Sequence, residues 1–168
     1  MVGTVALLGG CGAEESPAGV TLGVVPSSFQ VRQVLQEIQA PGGSCAPNPA
    51  EAADTSKQTT TCSASGVSLL SLGAAIATAS DIGTINASSP VTGFWQINLA
   101  LTDPATENFR LASEQLVPLV PPLNSLAILI DGKVSSVATV REPVTNGKIT
   151  VNGLSEAAVK EYVGRFDP

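Results

Sequence analysis

The chain has 168 residues, a formal net charge of -6 and no histidine. A hydrophobic fraction of 43% is sufficient for the core of one globular domain. The eight basic residues are scattered singly, which argues against a nucleic-acid-binding surface, because such a surface needs clustered Lys and Arg. No window contains the roughly 18 consecutive apolar residues that a membrane-spanning helix requires.

The sequence begins with ten uncharged, mostly apolar residues, Met1 to Gly10, and the last three of them lead into Cys11 as Leu8-Gly9-Gly10-Cys11. This pattern resembles the lipobox of a bacterial lipoprotein signal, in which the cysteine takes the lipid and becomes the new N-terminus. A lipoprotein signal also begins with positively charged residues and has a longer apolar core than this sequence offers. This argues that the start at Met1 is truncated or misassigned. If Met1 is the true start, Cys11 is a small apolar residue near a frayed terminus. We predict a signal remnant with a lipidated Cys11 (palmitate-type anchor) over residues 1–11 and a flexible tether over residues 12–27.

Cys45 and Cys62 flank a segment rich in Pro, Gly, Asn, Ser and Thr, which has little capacity to bury a core. A disulfide between them would stabilise the fold by on the order of 3 kcal/mol by restricting the unfolded chain. Two free thiols in a cytosolic loop are the alternative. We predict a disulfide-closed loop over residues 45–62. Three cysteines without histidine fall short of the usual four zinc ligands, so no metal site is predicted.

The first two elements lie before residue 75. Residues 29–38 carry apolar side chains at helical spacing, but we predict a strand there from the family resemblance given below. Residues 67–72 form a short apolar run between glycines and predict a strand end followed by a loop. Farther along, residues 95–101 alternate between apolar and polar, which predicts a strand with one face on the core and Trp95 as a structural anchor.

A helix is predicted to begin at Asp103-Pro104, with Asp103 as its cap and a buried stripe of Phe109, Ala112 and Leu116. The apolar run 126–130 then leads into Asp131-Gly132, a dipeptide typical of tight hairpin turns.

Asn146-Gly147 repeats this turn signal, so three antiparallel strands joined by local connections are predicted over residues 125–151. A last helix is predicted from Ser155, with Leu154 and Val159 as a hydrophobic staple and an apolar stripe formed by Val159, Tyr162, Val163 and Phe166.

Several segments of the chain are similar in sequence to segments of one known family. They are Phe94-Trp95-Gln96-Ile97-Asn98-Leu99, residues 126–134, residues 141–153 and residues 154–166. A weaker similarity extends over residues 29–35, 70–79 and Asp81-Ile82. They resemble the head subdomain of the first extracytoplasmic domain of SecD, a subunit of the bacterial SecDF accessory translocase. The resemblance implies an α+β fold over residues 28–168, with a small antiparallel sheet and helices packed on one face.

No catalytic arrangement accompanies this resemblance. Without histidine, Ser-His-Asp and Cys-His sites are impossible. Asp131 is better explained as a turn residue and Glu142 as a solvated strand end, so we predict neither an enzyme nor a bound cofactor.

The function that the sequence favours is a non-enzymatic binding module, lipid-anchored on the outer face of the cytoplasmic membrane. Its partners would be exported polypeptides or translocon and envelope proteins, bound weakly along an exposed sheet edge or groove. Lys133 and Arg141 are the candidate contact residues, and no nucleic-acid partner is expected. The alternative is a structural lipoprotein that docks on one fixed envelope partner.

Overall fold

The computed structural model describes residues 19–22, 28–91 and 94–154. Nine strands and one α-helix lie in these residues: β1 Gly19–Leu22, β2 Gln30–Gln39, β3 Thr59–Cys62, β4 Ser68–Thr78, β5 Ile82–Val91, β6 Phe94–Leu101, α1 Asp103–Leu116, β7 Ser125–Ile130, β8 Lys133–Thr139 and β9 Lys148–Leu154. Short 3-10 turns occupy Pro41–Gly43, Pro49–Ala52 and Ala79–Asp81.

The strands form two antiparallel sheets. One has four strands in the order β1-β5-β6-β9, and the other has five in the order β3-β4-β2-β7-β8. The predicted α+β class with antiparallel sheet structure is therefore confirmed, with the strands divided between two sheets. The strand predicted at residues 29–38 is confirmed as β2, and the one at residues 95–101 as β6.

The main hydrophobic core lies between the two sheets and α1. It combines side chains from the five-stranded sheet, the four-stranded sheet and the helix, among them Val31, Leu126, Ile128, Ile85, Ile97, Leu99, Ala105 and Phe109. Trp95 is half-buried and packs against this core, in agreement with its predicted structural role. Area burial of this kind is the main force that joins the two sheets.

The five-stranded sheet is buried on both faces at its centre. In β7, Leu126, Ile128 and Ile130 face the main core, whereas Ala127 and Leu129 belong to a second cluster on the opposite face. All six residues of β7 are buried. This explains the unbroken apolar run of β7, because a strand with two buried faces does not alternate.

A loop covers the second cluster. We call residues 40–58 the covering loop; it places the fully buried Ala52 against the second cluster. The disulfide Cys45–Cys62 joins the loop to β3. Backbone hydrogen bonds add further ties: the Ala40 amide donates to the Val67 carbonyl at 2.9 Å, and the Ala75 amide to the Thr55 carbonyl at 2.8 Å.

Arg32 is the third residue of β2, the central strand of the five-stranded sheet, and its side chain holds the covering loop in place. Its side chain is fully buried and donates to the Gln30 Oε1 atom through Nε, at 2.7 Å. Its Nη atoms donate to four backbone carbonyls: Lys57 at 2.7 Å, Gly73 at 2.8 Å, Asp54 at 2.8 Å and Ala52 at 3.4 Å. All five donors of the guanidinium therefore have an acceptor. Burial lowers the pKa of Arg32, and the nearby Asp54 charge opposes this shift.

Three local predictions need correction. The strand expected to end near Leu72 continues as β4 to Thr78, because β4 pairs with β2 through bulges that accommodate Gly73. At the start of α1 the cap position belongs to Thr102, whose carbonyl accepts the Thr106 amide. In the helix stripe Ser113 is buried, whereas Ala112 is only half-buried.

The predicted tether also differs from the structure. Residues 19–22 form β1, which pairs with β5 from Gly19↔Ser88 to Leu22↔Ile85. The alternation of Val20 and Leu22 with smaller residues is a strand pattern, and β5 provides partners for the backbone groups. Cys11, the rest of the predicted tether and the helix predicted from Ser155 lie outside the described residues.

The predicted three-strand block is correct only for its first hairpin. Asp131 and Gly132 have φ angles of 51° and 72°, as the tight turn between β7 and β8 requires. The third strand, β9, does not pair with β8 but joins β6 in the other sheet. The segment between β8 and β9 passes from one sheet to the other, because Val140 is buried in the main core and Val144 packs against that core.

Replacing Arg32 with methionine tests its role in the fold. The Arg32→Met variant keeps most of the side-chain volume but leaves the buried carbonyls without their donor. We expect the free energy of unfolding to fall by about 3–5 kcal/mol. Urea denaturation followed by circular dichroism measures it. The control is Lys57→Met, which removes an exposed ammonium and should change stability far less. Equal losses in the two variants would contradict this role.

Gly132→Ala tests the contact between the β7–β8 turn and the covering loop. An added Cβ would lie 2.6 Å from the Pro49 Cα atom, so the loop would have to move. Gly43→Ala is the matched control, since its φ of +80° is similar and nothing lies within 4 Å of the added atom. Both variants carry the strain of a positive φ, about 1 kcal/mol. We expect Gly132→Ala to lose about 2 kcal/mol more than the control by urea denaturation. Similar losses would show that the turn does not support the loop.

Candidate functional site

A groove opens where the chain crosses from one sheet to the other. We call residues 140–147, which join β8 to β9, the crossover segment, and the cavity beside it the crossover groove. Its volume is about 300 Å³, near the lower limit for ligand pockets. Its apolar lining comes from both sheets, α1 and the crossover segment: Val31, Phe109, Leu126, Ile128, Val140, Val144 and Ile149.

The crossover segment is fixed to the domain along its length. The Val140 amide donates to the Asn124 carbonyl at 2.8 Å, and the Val144 amide to Ser113 Oγ at 2.9 Å. At the far end, the Gly147 carbonyl accepts the Leu101 amide at 2.8 Å. The groove therefore has a wall that is held by hydrogen bonds at three points.

Gly147 is the residue that lets the crossover segment approach α1. Its φ is +63°, and a Cβ atom there would lie 2.2 Å from Thr106 Oγ1. Only glycine fits this conformation and this contact without a shift of the helix. The predicted Asn-Gly turn thus serves to close the segment onto the helix, rather than to form a hairpin.

The rim of the crossover groove carries three exposed charges, Arg141, Glu142 and Lys148. Neither Arg141 nor Lys148 forms an ion pair with another described residue. Two positive side chains and one carboxylate therefore surround an apolar floor.

Among the other described cations outside the core, all except Lys133 form ion pairs elsewhere. Lys57 pairs with Asp54 at 2.8 Å, and its hydrogen bond holds the pKa of that carboxyl well below its usual range. Arg110 pairs with Glu107 and Glu114 along α1, and its hydrogen bond lowers the pKa of Glu107. The unengaged positive charge of the described residues is thus confined to the two ends of β8 and the start of β9.

The two predicted contact residues lie apart. Lys133 is the first residue of β8 and borders a small cavity of about 220 Å³ beside Cys62. Arg141 lies beyond the other end of the strand, on the crossover groove. Only Arg141 therefore belongs to this site. Lys148 was missed, because the sequence pattern around it indicated a hairpin turn and gave no reason to place it beside Arg141.

β8 is an edge strand of the five-stranded sheet. Its pairing with β7 shifts between Ile128↔Ser136 and Leu129↔Val134, so Ser135 is an extra residue in a bulge. Before the bulge Val134 is buried in the second cluster. After it come residues 136–139, which we call the outer half of β8. Ser136 is half-buried, whereas residues 137–139 are exposed, Val137 to 47%. Within the described residues no strand pairs with the outer half on its second side.

The two carboxylates considered for catalysis do not meet. Asp131 lies in the β7–β8 turn, where its carboxylate accepts the Ser28 hydroxyl and its amide donates to Ser28 Oγ at 3.1 Å. Glu142 is exposed beyond the opposite end of β8. The described part of the chain also holds no cluster of His, Cys, Asp and Glu suited to a metal ion. These residues give no basis for assigning a reaction.

Comparison with known protein families identifies the family of this chain. The model of the SecDF P1 head subdomain matches residues 55–161, well over half of the chain. This chain belongs to the SecDF P1 head family. The matched range contains most of the five-stranded sheet, α1 and the whole crossover groove apart from Val31.

Solved SecDF structures share the fold of this head domain. One, described as a membrane component SecDF that enhances protein export, is 19% identical with a TM-score of 0.51 over 80% of this chain. A second, SecDF in a super-membrane-facing form, is 20% identical with a TM-score of 0.53 over 82% of this chain. The chain covers 60% and 18% of those two proteins. No curated protein sequence matches it.

The family relationship confirms the resemblance found in the sequence. SecDF head domains are extracytoplasmic parts of a membrane protein. In this head domain, the described residues include no helix that is long and apolar enough to cross a bilayer.

Proposed function

We propose that this SecDF head domain is an extracytoplasmic, non-enzymatic module that binds segments of exported polypeptides in the crossover groove. The observation that carries the proposal is the apolar floor of the groove, which opens directly beside the outer half of an edge strand. An unfolded polypeptide offers both apolar side chains and unpaired backbone groups, and these two features complement such a site.

The size of the groove fits weak and sequence-tolerant binding. A cavity of about 300 Å³ accommodates one or two apolar side chains. Each would contribute roughly 1.5–3 kcal/mol from burial, before the cost of ordering the bound segment. Even two such side chains, about 6 kcal/mol, correspond to a dissociation constant of only about 40 μM before that cost, so binding in the high-micromolar to millimolar range is expected. A module that must release its substrate during export needs binding of this strength.

We also propose that the domain is anchored by a lipid on Cys11, at the outer face of the cytoplasmic membrane. The lipobox-like sequence Leu8-Gly9-Gly10-Cys11 and the extracytoplasmic location of the family support this proposal. The disulfide Cys45–Cys62 fits the same location, because disulfides persist in oxidising compartments outside the cytoplasm.

Docking on one fixed partner, such as a translocon or envelope protein, is the second candidate. It is favoured by the loop after α1, where Leu119, Val120 and Leu123 are exposed, Val120 to 69%. Neighbouring exposed apolar side chains of this kind are typical of a protein interface. This loop lies outside the crossover groove, so the two functions can be tested separately.

Filling the groove should abolish polypeptide binding. Ala138 is exposed on the groove side of β8, so Ala138→Trp places an indole over the opening. We expect at least a tenfold loss of affinity, about 1.4 kcal/mol, for a fluorescent, permanently unfolded polypeptide measured by anisotropy. Ala74→Trp on β4 is the matched control, since Ala74 is exposed and does not line the groove. Undiminished binding to a folded Ala138→Trp variant, or no binding to the unaltered chain, would contradict the proposal.

Lipidation has its own test. The full-length chain, expressed in bacteria with its N-terminal residues intact, should carry a diacyl-type mass increment on Cys11 and sediment with membranes. Cys11→Ser should lose both the increment and the membrane association, because one acyl-bearing residue provides the anchor. Unmodified protein in the cytosol would show that the N-terminal pattern is not a lipoprotein signal.

A further inference from the structure

The outer half of β8 has a groove on each face. On one face lies the crossover groove, which Ala138 borders. On the other lies a second cavity of about 540 Å³, which we call the outer groove. It is lined by Val34, Glu37, Pro121, Pro122, Ser125, Val137 and Thr139.

Strand pairing explains this arrangement. Ala138 pairs with Leu126, a main-core residue, so its side chain lies on the main-core face of the sheet. Val137 pairs with Ala127, a residue of the second cluster, so its side chain lies on the opposite face. Ala138 thus points to the crossover groove and Val137 to the outer groove, and Thr139 borders both grooves.

We propose that the bound polypeptide adds to the outer half of β8 as a sixth strand and places alternate side chains in the two grooves. This inference rests on the proposed function and specifies how the segment binds. Its backbone would form the ladder of hydrogen bonds that residues 136–139 lack on their second side within the described chain. Its recognition would follow a two-residue period, because neighbouring side chains of an added strand face opposite grooves.

The charges at the grooves specify the segment further. The crossover groove has Arg141 and Lys148 on its rim against the single carboxylate of Glu142. The only charged residue that lines the outer groove among the described residues is Glu37. A segment with a carboxylate on one face and a cation on the other therefore complements both grooves. The preferred partner is an extended, apolar segment in which an acidic and a basic residue occupy neighbouring positions.

The bulge at Ser135 limits how far a strand can be added. It separates the outer half from the part of β8 that approaches β3 and carries buried Val134. An added strand can therefore pair along about four residues of β8 before the twist of the bulge ends the register. Such a short ladder is consistent with weak, reversible binding.

Amide hydrogen exchange measured by NMR tests strand addition directly. The probe is a synthetic peptide of about eight residues, composed of valine and threonine with one Glu-Lys pair at its centre. In the unbound chain, alternate amides of residues 136–139 should exchange quickly, because no described strand pairs with them on the second side of β8. With saturating peptide we expect these amides to exchange at least tenfold more slowly.

The outcomes separate the two proposals. A peptide that shifts the resonances of the crossover groove but leaves those amides exchanging quickly would overturn strand addition and support groove binding. Slow exchange already in the unbound chain would overturn it too, since the edge would be covered by a second copy or by another part of the chain. A peptide that shifts no resonance would contradict the proposed function itself.

A charge exchange provides the second test. Glu37→Lys makes the outer groove positive, so this variant should prefer a peptide with Glu-Glu at its centre by at least fivefold over the Glu-Lys peptide. The unaltered chain should have the opposite preference. Lys133→Glu is the control, because Lys133 lies at the other end of β8 and lines neither groove. An unchanged preference in Glu37→Lys would overturn the assignment of the outer groove.

Discussion

The interaction on which this domain depends is the burial of the Arg32 guanidinium in the middle of its larger sheet. A buried charge without solvent is costly unless every donor has an acceptor. Arg32 meets this requirement with backbone carbonyls of the covering loop and β4, and with the side chain of Gln30. The loop therefore has a defined position over the second cluster, although it contains little regular structure.

Several other contacts depend on that position. Ala52 can complete the second cluster only if the loop is held close, and Gln30 Nε2 donates to the Ala52 carbonyl at 2.9 Å. Pro49 lies directly against Gly132 in the β7–β8 turn. The disulfide Cys45–Cys62 shortens the same loop in the unfolded chain. The centre of the sheet is thus closed on both faces, and the two grooves proposed for binding lie at its edge, beside β8.

Patterns of neighbouring residues were sufficient to predict the elements whose structure depends only on those neighbours. The alternation in β6, the start of α1 and the Asp131-Gly132 turn all depend on neighbouring residues, and each was predicted. Arg32 was not recognised, because a single arginine between Val31 and Gln33 looks like any scattered surface charge. Its burial is possible only through carbonyls from residues 20 to 41 positions away, which no local pattern contains.

The incorrect prediction for β9 has the same origin and bears most directly on function. An Asn-Gly pair between two strands favours a hairpin, and a hairpin would have placed β9 beside β8 and covered its edge. The buried side chain of Val140 and the contact of Gly147 with Thr106 instead direct the chain across the main core to β6. That single departure leaves the outer half of β8 with β7 as its one neighbouring strand in the described chain. It also creates the crossover groove and brings Lys148 to the groove that Arg141 borders. The proposed binding site therefore exists because tertiary packing overrides a local turn preference.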